Sequence, residues 1–200
     1  MNFLSISILA GSVWGIGEVL IWNLLKTAGI PMKSPFVFAY GIFILTLSRM
    51  FYNKKGISIL TGLIAISFKF LHSPIFPCQF IAVIIEALSF EVGFLLTPYL
   101  KSILTPLFAA YLSYAGFALS AVYILRVSGW VERGISGINH YIFVNGSVAF
   151  LFSVLTFNLA LILAKKLSKR EFKTLPTFYK KYGVIFSILF FIIAWLLINI

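Results

Sequence analysis

The chain has 200 residues, of which 61% are apolar and only 10% charged, and its mean hydropathy is +1.05. A water-soluble fold of this length could not bury that much apolar surface, so the composition excludes a soluble domain and makes lipid the solvent. The net charge of +11 is not a nucleic-acid signature here, because Lys and Arg fall mostly between the apolar runs.

In lipid an unpaired backbone group is costly, which restricts each spanning segment to a helix or a strand of a closed barrel. Continuous apolar runs near 20 residues favour helices over alternating barrel strands. The predicted fold is therefore an all-α, polytopic transmembrane helix bundle, a single integral membrane domain over residues 1–200. Bounded by charge, Pro or Gly, the runs cover Asn2 to Leu25, Pro35 to Tyr52, Gly56 to Leu71, Pro77 to Pro98, Ile103 to Leu125, Tyr141 to Ala164 and Gly183 to Ile200. That makes seven helices, with six as the alternative count. The second, third and seventh are short, which suits little tilt or partial re-entry. The first run has no Lys or Arg ahead of it and is too long for a cleaved signal peptide, so it reads as a retained first helix. Between Arg126 and His140, Gly129, Gly134 and Gly137 with Trp130 suggest an interfacial loop.

Assigning each Lys and Arg to its nearest helix end places 11 of the 16 on one side and five on the other. The five are Lys26, Lys33, Lys69, Arg126 and Arg133. The richer side includes the basic connection from Lys165 to Lys181 and is expected to be cytoplasmic, which also puts the N-terminus on the cytoplasmic side of a cell membrane. Ordinary topology determination accounts for that basic connection, although it would also suit anionic lipid or an acidic partner.

Three of the five acidic residues, Glu18, Glu86 and Glu91, fall inside predicted spans. Ionisable groups there are expensive and tend to face a bundle interior or a wet cavity, so they are candidate functional residues. At 100° per residue, Ser7, Gly11, Trp14, Gly15 and Trp22 share the side of the first helix that carries Glu18. The spacing of Ser7, Gly11 and Gly15 permits close helix approach, for which a packing seam is the simplest reading. Trp14 and Trp22 would suit the wall of a pocket for a flat or cationic ligand.

Depth supports a common site. Glu18 lies about 11 Å below the Leu25 end of the first helix and Glu86 about 14 Å below Pro77, at one membrane face. Lys69, His72, Asn139, His140, Tyr141 and Asn145 converge on the same half of the bundle. The expected ligand-binding set is Glu18, Glu86, Trp14, Trp22, Lys69 and Asn145. A structural ion pair between Lys69 and either carboxylate fits the same pattern. Glu91, about 140° around the helix from Glu86, belongs to the opposite half or to another helix contact.

Enzyme chemistry finds less support. Cys78 with His72 and His140 could form a thiol nucleophile and base, yet no oxyanion device is readable. A spectator cysteine at a helix entrance is the simpler account. One cysteine excludes an internal disulfide and a multi-thiolate metal site, and no metal site, HExxH pattern, Walker A loop or dinucleotide glycine fingerprint points to a cofactor.

In size, apolarity, the small-residue face Ser7, Gly11 and Gly15, and outer-half polar groups, the chain resembles the substrate-binding membrane subunits, or S components, of energy-coupling-factor vitamin transporters. The stretch GIFILTLSRMFYNKKGISILTGLIAISFK has the general look of such subunits, with a short basic turn between two helices. The resemblance implies a membrane-embedded small-solute-binding subunit for a vitamin or related precursor. It further implies docking of Ser7, Gly11 and Gly15 on a transmembrane coupling subunit that works with ATPases. The family has six helices and an alanine-based motif, whereas this chain offers seven runs and places glycine and serine at that spacing. It transfers no ligand residues. An uncharacterised multi-pass protein with a structural or assembly role is the alternative, with an intramembrane enzyme behind it.

Overall fold

A computed structural model describes residues 3–71, 77–97, 103–170 and 177–199, and no strand occurs among them. The helices are α1 (Phe3–Thr27), α2 (Lys33–Phe51), α3 (Ile57–Ser67), α4 (Pro77–Leu96), α5 (Leu104–Leu119), α6 (Ser128–Val131), α7 (Gly134–His140), α8 (Gly146–Arg170) and α9 (Thr177–Asn199). A 3-10 turn, Phe68–Leu71, extends α3, and π-helical turns occupy Ser120–Ile124 after α5 and Tyr141–Asn145 between α7 and α8.

The outside is apolar and much of the inside is polar, as lipid requires. Leu24, Leu63, Leu151, Leu155 and Ile162 are exposed, while Thr46, Arg49, Ser58, Thr61, Glu86, Glu91 and Ser153 are buried. The protein is thus a membrane protein of the all-α class, with five helical stretches long and apolar enough to cross a bilayer among the described residues. These are Phe3–Thr27, Lys33–Phe51, Pro77–Leu96, Leu104–Ile124 and Gly134–Leu167.

The third predicted run falls short of that length. It forms an 11-residue α-helix and a four-residue 3-10 turn. At 1.5 and 2.0 Å per residue this reaches about 25 Å, under the roughly 30 Å of a hydrocarbon core. The seventh run lies in α9, a helix of 23 residues. The expected loop after Arg126 instead contains α6 and α7, and α7 runs through its π turn into α8, so the sixth apolar stretch begins at Gly134.

The main packing pairs are α2 with α8, α4 with α5 and α1 with α3. The small-residue face of α1 closes the last of these. A methyl group on Gly11 would sit 2.6 Å from the Thr61 carbonyl oxygen, and one on Gly15 would strike the Phe68 ring. Ser7 is buried and donates to the Phe3 carbonyl at 3.0 Å. At Gly11 and Gly15 this face packs within the chain, against Thr61 and Ile64 of α3 and Phe68 of its 3-10 turn. The far end of α1 also meets α9, whose Ser187 donates to the Ser5 carbonyl at 3.1 Å.

Candidate functional site

At the end of the bundle where α1 finishes and α2 begins, the helices enclose a cavity of about 730 Å³. That volume lies within the usual range of small-molecule sites. The end of α1 contributes Glu18, Trp22, Asn23 and Lys26, and the start of α2 contributes Lys33, Ser34, Val37 and Phe38. Lys69 enters from the 3-10 turn, and Cys78, Gln79, Ala82 and Glu86 from the first half of α4. Ser113, Tyr114 and Phe117 of α5, Trp130 of α6, Arg133, Tyr141 and Asn145 complete it.

One wall is aromatic. Tyr114 and Tyr141 have ring centroids 4.9 Å apart, Trp130 stands edge-on to Tyr141 at 4.7 Å, and Phe38 meets Tyr114 at 5.7 Å. The edge-on and tilted geometries are those favoured by ring quadrupoles. The wall is assembled from α2, α5, α6 and the π turn before α8, which explains why no single helix pattern displays it.

The other wall is charged. Lys69 Nζ is ion-paired with Glu18 Oε1, a pairing between α1 and the 3-10 turn that leaves Glu18 Oε2 buried without a hydrogen-bond partner. Glu86 is 7% exposed, and its Oε1 also lacks a partner. A buried carboxylate oxygen without a donor is unfavourable unless something supplies one. Gln79 Oε1 is a third such acceptor.

The mouth is cationic. Lys26 and Arg133 are exposed, Lys33 is half-buried, and none has an ion-pair partner among the described residues. Lys33 lies 5.8 Å from the Trp22 ring centroid and Arg133 lies 4.6 Å from that of Trp130, so aromatic faces hold these cations. Four of the five cations on the charge-poor side of the bundle border this one cavity, Arg126 being the exception.

Of the six residues expected at a ligand site, Glu18, Glu86, Trp22, Lys69 and Asn145 border the cavity. Trp14 does not. Its ring is fully buried in the core, where Gly41 of α2 leaves room for the indole nitrogen. The indole packs inward against α2, which has no side chain at position 41. Trp130 and Tyr141 supply the wall that Trp14 was expected to form. Cys78 lies in the lining, His140 is exposed outside it, and His72 falls outside the described residues. No cluster of three or more His, Cys, Asp or Glu suited to a metal occurs among the described residues.

Glu91 serves the opposite end of α4. It accepts from Arg49 Nη2 at 3.0 Å and from the Gly56 backbone N–H at 2.8 Å, while Arg49 also donates to the Lys54 carbonyl. Arg49 stacks on Phe94 at 4.5 Å. The arrangement pins the short α2–α3 connection to α4, and none of these residues lines the cavity.

Sequence reasoning missed Lys26, Lys33 and Arg133 as site residues, although their position against the charge bias was the available signal. Gly41 carried no readable signal. No family model matches the chain, and no curated protein or solved structure matches it either.

Proposed function

We propose that the protein is a membrane-embedded binding protein for a small organic solute, acting as the solute-binding subunit of a transporter. Its N-terminus lies in the cytoplasm, and its cavity opens on the opposite face of the cell membrane. A vitamin or related precursor is the class that the family resemblance implies.

The observation that carries this reading is the joint placement of Glu86 and the minority cations around one cavity. A carboxylate buried at membrane depth without a partner is costly, and cations on the translocated side oppose the usual charge bias. Topology needs neither, whereas a solute site explains both. The Glu18–Lys69 pair, taken alone, favours the structural or assembly reading, since such a pair fixes α1 against the 3-10 turn without any ligand.

Native mass spectrometry of the purified protein tests the proposal. A reproducible adduct of small-molecule mass is expected in the wild type and should be depleted in Glu86→Gln. A wild-type spectrum with no adduct, even after incubation with a concentrated metabolite extract, would favour the structural reading.

A further inference from the structure

The cavity has two unmet demands of opposite kind, and they lie at different depths. On the charged wall, Glu18 Oε2 and Glu86 Oε1 are buried acceptors with no donor, the latter packed against Gly41 at the back of the lining. At the mouth, Lys26, Lys33 and Arg133 are donors with no ion-pair partner among the described residues. Lys26 is eight residues beyond Glu18 on α1, which separates the two levels by about 12 Å along the helix axis. Between them runs the continuous ring wall of Phe38, Tyr114, Tyr141 and Trp130. An apolar rod would leave both ends unsatisfied, and a simple anion would be drawn to the mouth but repelled by the carboxylates below it.

Resting on the solute-binding reading above, we propose that the ligand is a flat aromatic molecule with an amine or ring N–H at one end and an acidic group at the other. It binds with the nitrogen end inward. The donor meets Glu86 and Glu18, the ring lies along the Tyr114–Tyr141 wall, and the carboxylate or phosphate meets Lys33 and Arg133. Direction of entry follows from the same asymmetry, because the exposed cations attract the acidic group first and hold it while the ring slides in.

The experiment is equilibrium dialysis on the full chain in nanodiscs, corrected with empty nanodiscs, using three probes. They are 6-amino-2-naphthoate, which carries both end groups, 2-naphthoate, which lacks the amine, and 2-naphthylamine, which lacks the acid. The two-ended probe should bind at least tenfold more tightly than either one-ended probe. Glu86→Gln should lower the advantage conferred by the amine at least fivefold and leave 2-naphthoate unchanged. The pair Lys33→Gln and Arg133→Gln should do the converse, removing the advantage of the acid and sparing 2-naphthylamine. Displacement by inorganic phosphate would assign the mouth to phosphate esters, and displacement by acetate alone would assign it to carboxylates. Equal affinities for the three probes in the wild type would overturn the proposed polarity while leaving solute binding standing, and that comparison requires no variant to fold. Absence of saturable binding by any probe would overturn the ligand class. The mass spectrum of the same preparation then decides separately whether a solute is bound at all.

Discussion

The carboxylate of Glu86 rests against the bare α-carbon of Gly41. A methyl group at position 41 would overlap Glu86 Oε1 and come within 2.9 Å of Trp14 Nε1, so one missing side chain makes room for both a buried acid and a buried indole. Gly41→Ala should therefore push Glu86 from its place, with a loss of about 1–3 kcal/mol of stability as in other overpacked cores. Thermal denaturation in detergent and retention of the bound solute should both fall. An unchanged melting temperature with unchanged retention would contradict the contact.

Glu18 and Lys69 are expected to be coupled. Neutralising one partner of a buried ion pair strands the other, at a cost of about 3 kcal/mol. Glu18→Gln and Lys69→Met should each lower the melting temperature, and the double variant should recover most of the loss. If the double variant binds the solute as the wild type does, the pair is structural only; weakened binding in a folded double variant places it in the site.

The far end of α4 offers a control. Arg49 and Glu91 are buried, bonded at 3.0 Å and tied to the α2–α3 connection. Glu91→Gln should cost about 3 kcal/mol or more, because it leaves the Arg49 guanidinium buried without its counter-charge. Solute affinity per folded molecule should not change. A selective loss of affinity, measured on the folded fraction, would mean that the two ends of α4 communicate.

Gly11→Leu should allow membrane insertion and disrupt the bundle, since lipid accepts Leu but the α1–α3 contact does not. The position tolerates no methyl group, with Ile64 Cβ 2.7 Å from where a Cβ would lie. Even Gly11→Ala should lower the melting temperature, by a few degrees or more. Equal stability of the Leu variant and the wild type would require α1 and α3 to be farther apart than described.

Reporter fusions test the orientation. Fusions within the basic connection from Lys165 to Lys181 should report cytoplasm, and fusions in the connection between Thr27 and Lys33 should report the opposite face. The reverse pattern would turn the cavity inward and remove the outward-facing binding reading.

Helical class and lipid environment were legible because both depend on sums over many residues: apolar run length, scarcity of charge and the absence of strand alternation. The common depth of Glu18, Glu86 and Lys69 was legible for a similar reason, since helical rise converts position into height. Azimuth was less accessible. Trp14 shares a helix side with Glu18, yet it packs into the core against Gly41 of α2, and no periodicity in α1 records what α2 lacks. The aromatic wall is a product of four elements and exists only once they pack. Lys26, Lys33 and Arg133 were visible as charges in the wrong place, but counting them for topology conceals that they border one space.

One π turn, Ser120–Ile124, follows the α5 segment that carries Tyr114, and the other, Tyr141–Asn145, itself supplies Tyr141 to the aromatic wall. Such a turn holds one residue more than an α turn, and frequently marks a functional site. Removing a single residue from either would let the turn close as an α turn and would shift the side chains within it, in the second turn Tyr141 among them. The wall is thus guarded by chain length as well as by side-chain identity. A one-residue deletion in either turn should abolish recognition while conservative substitutions of its exposed positions, such as Tyr123 and Phe143, pass unnoticed. Sequences related to this one by descent would then be expected to vary in letters across these turns but to keep their register.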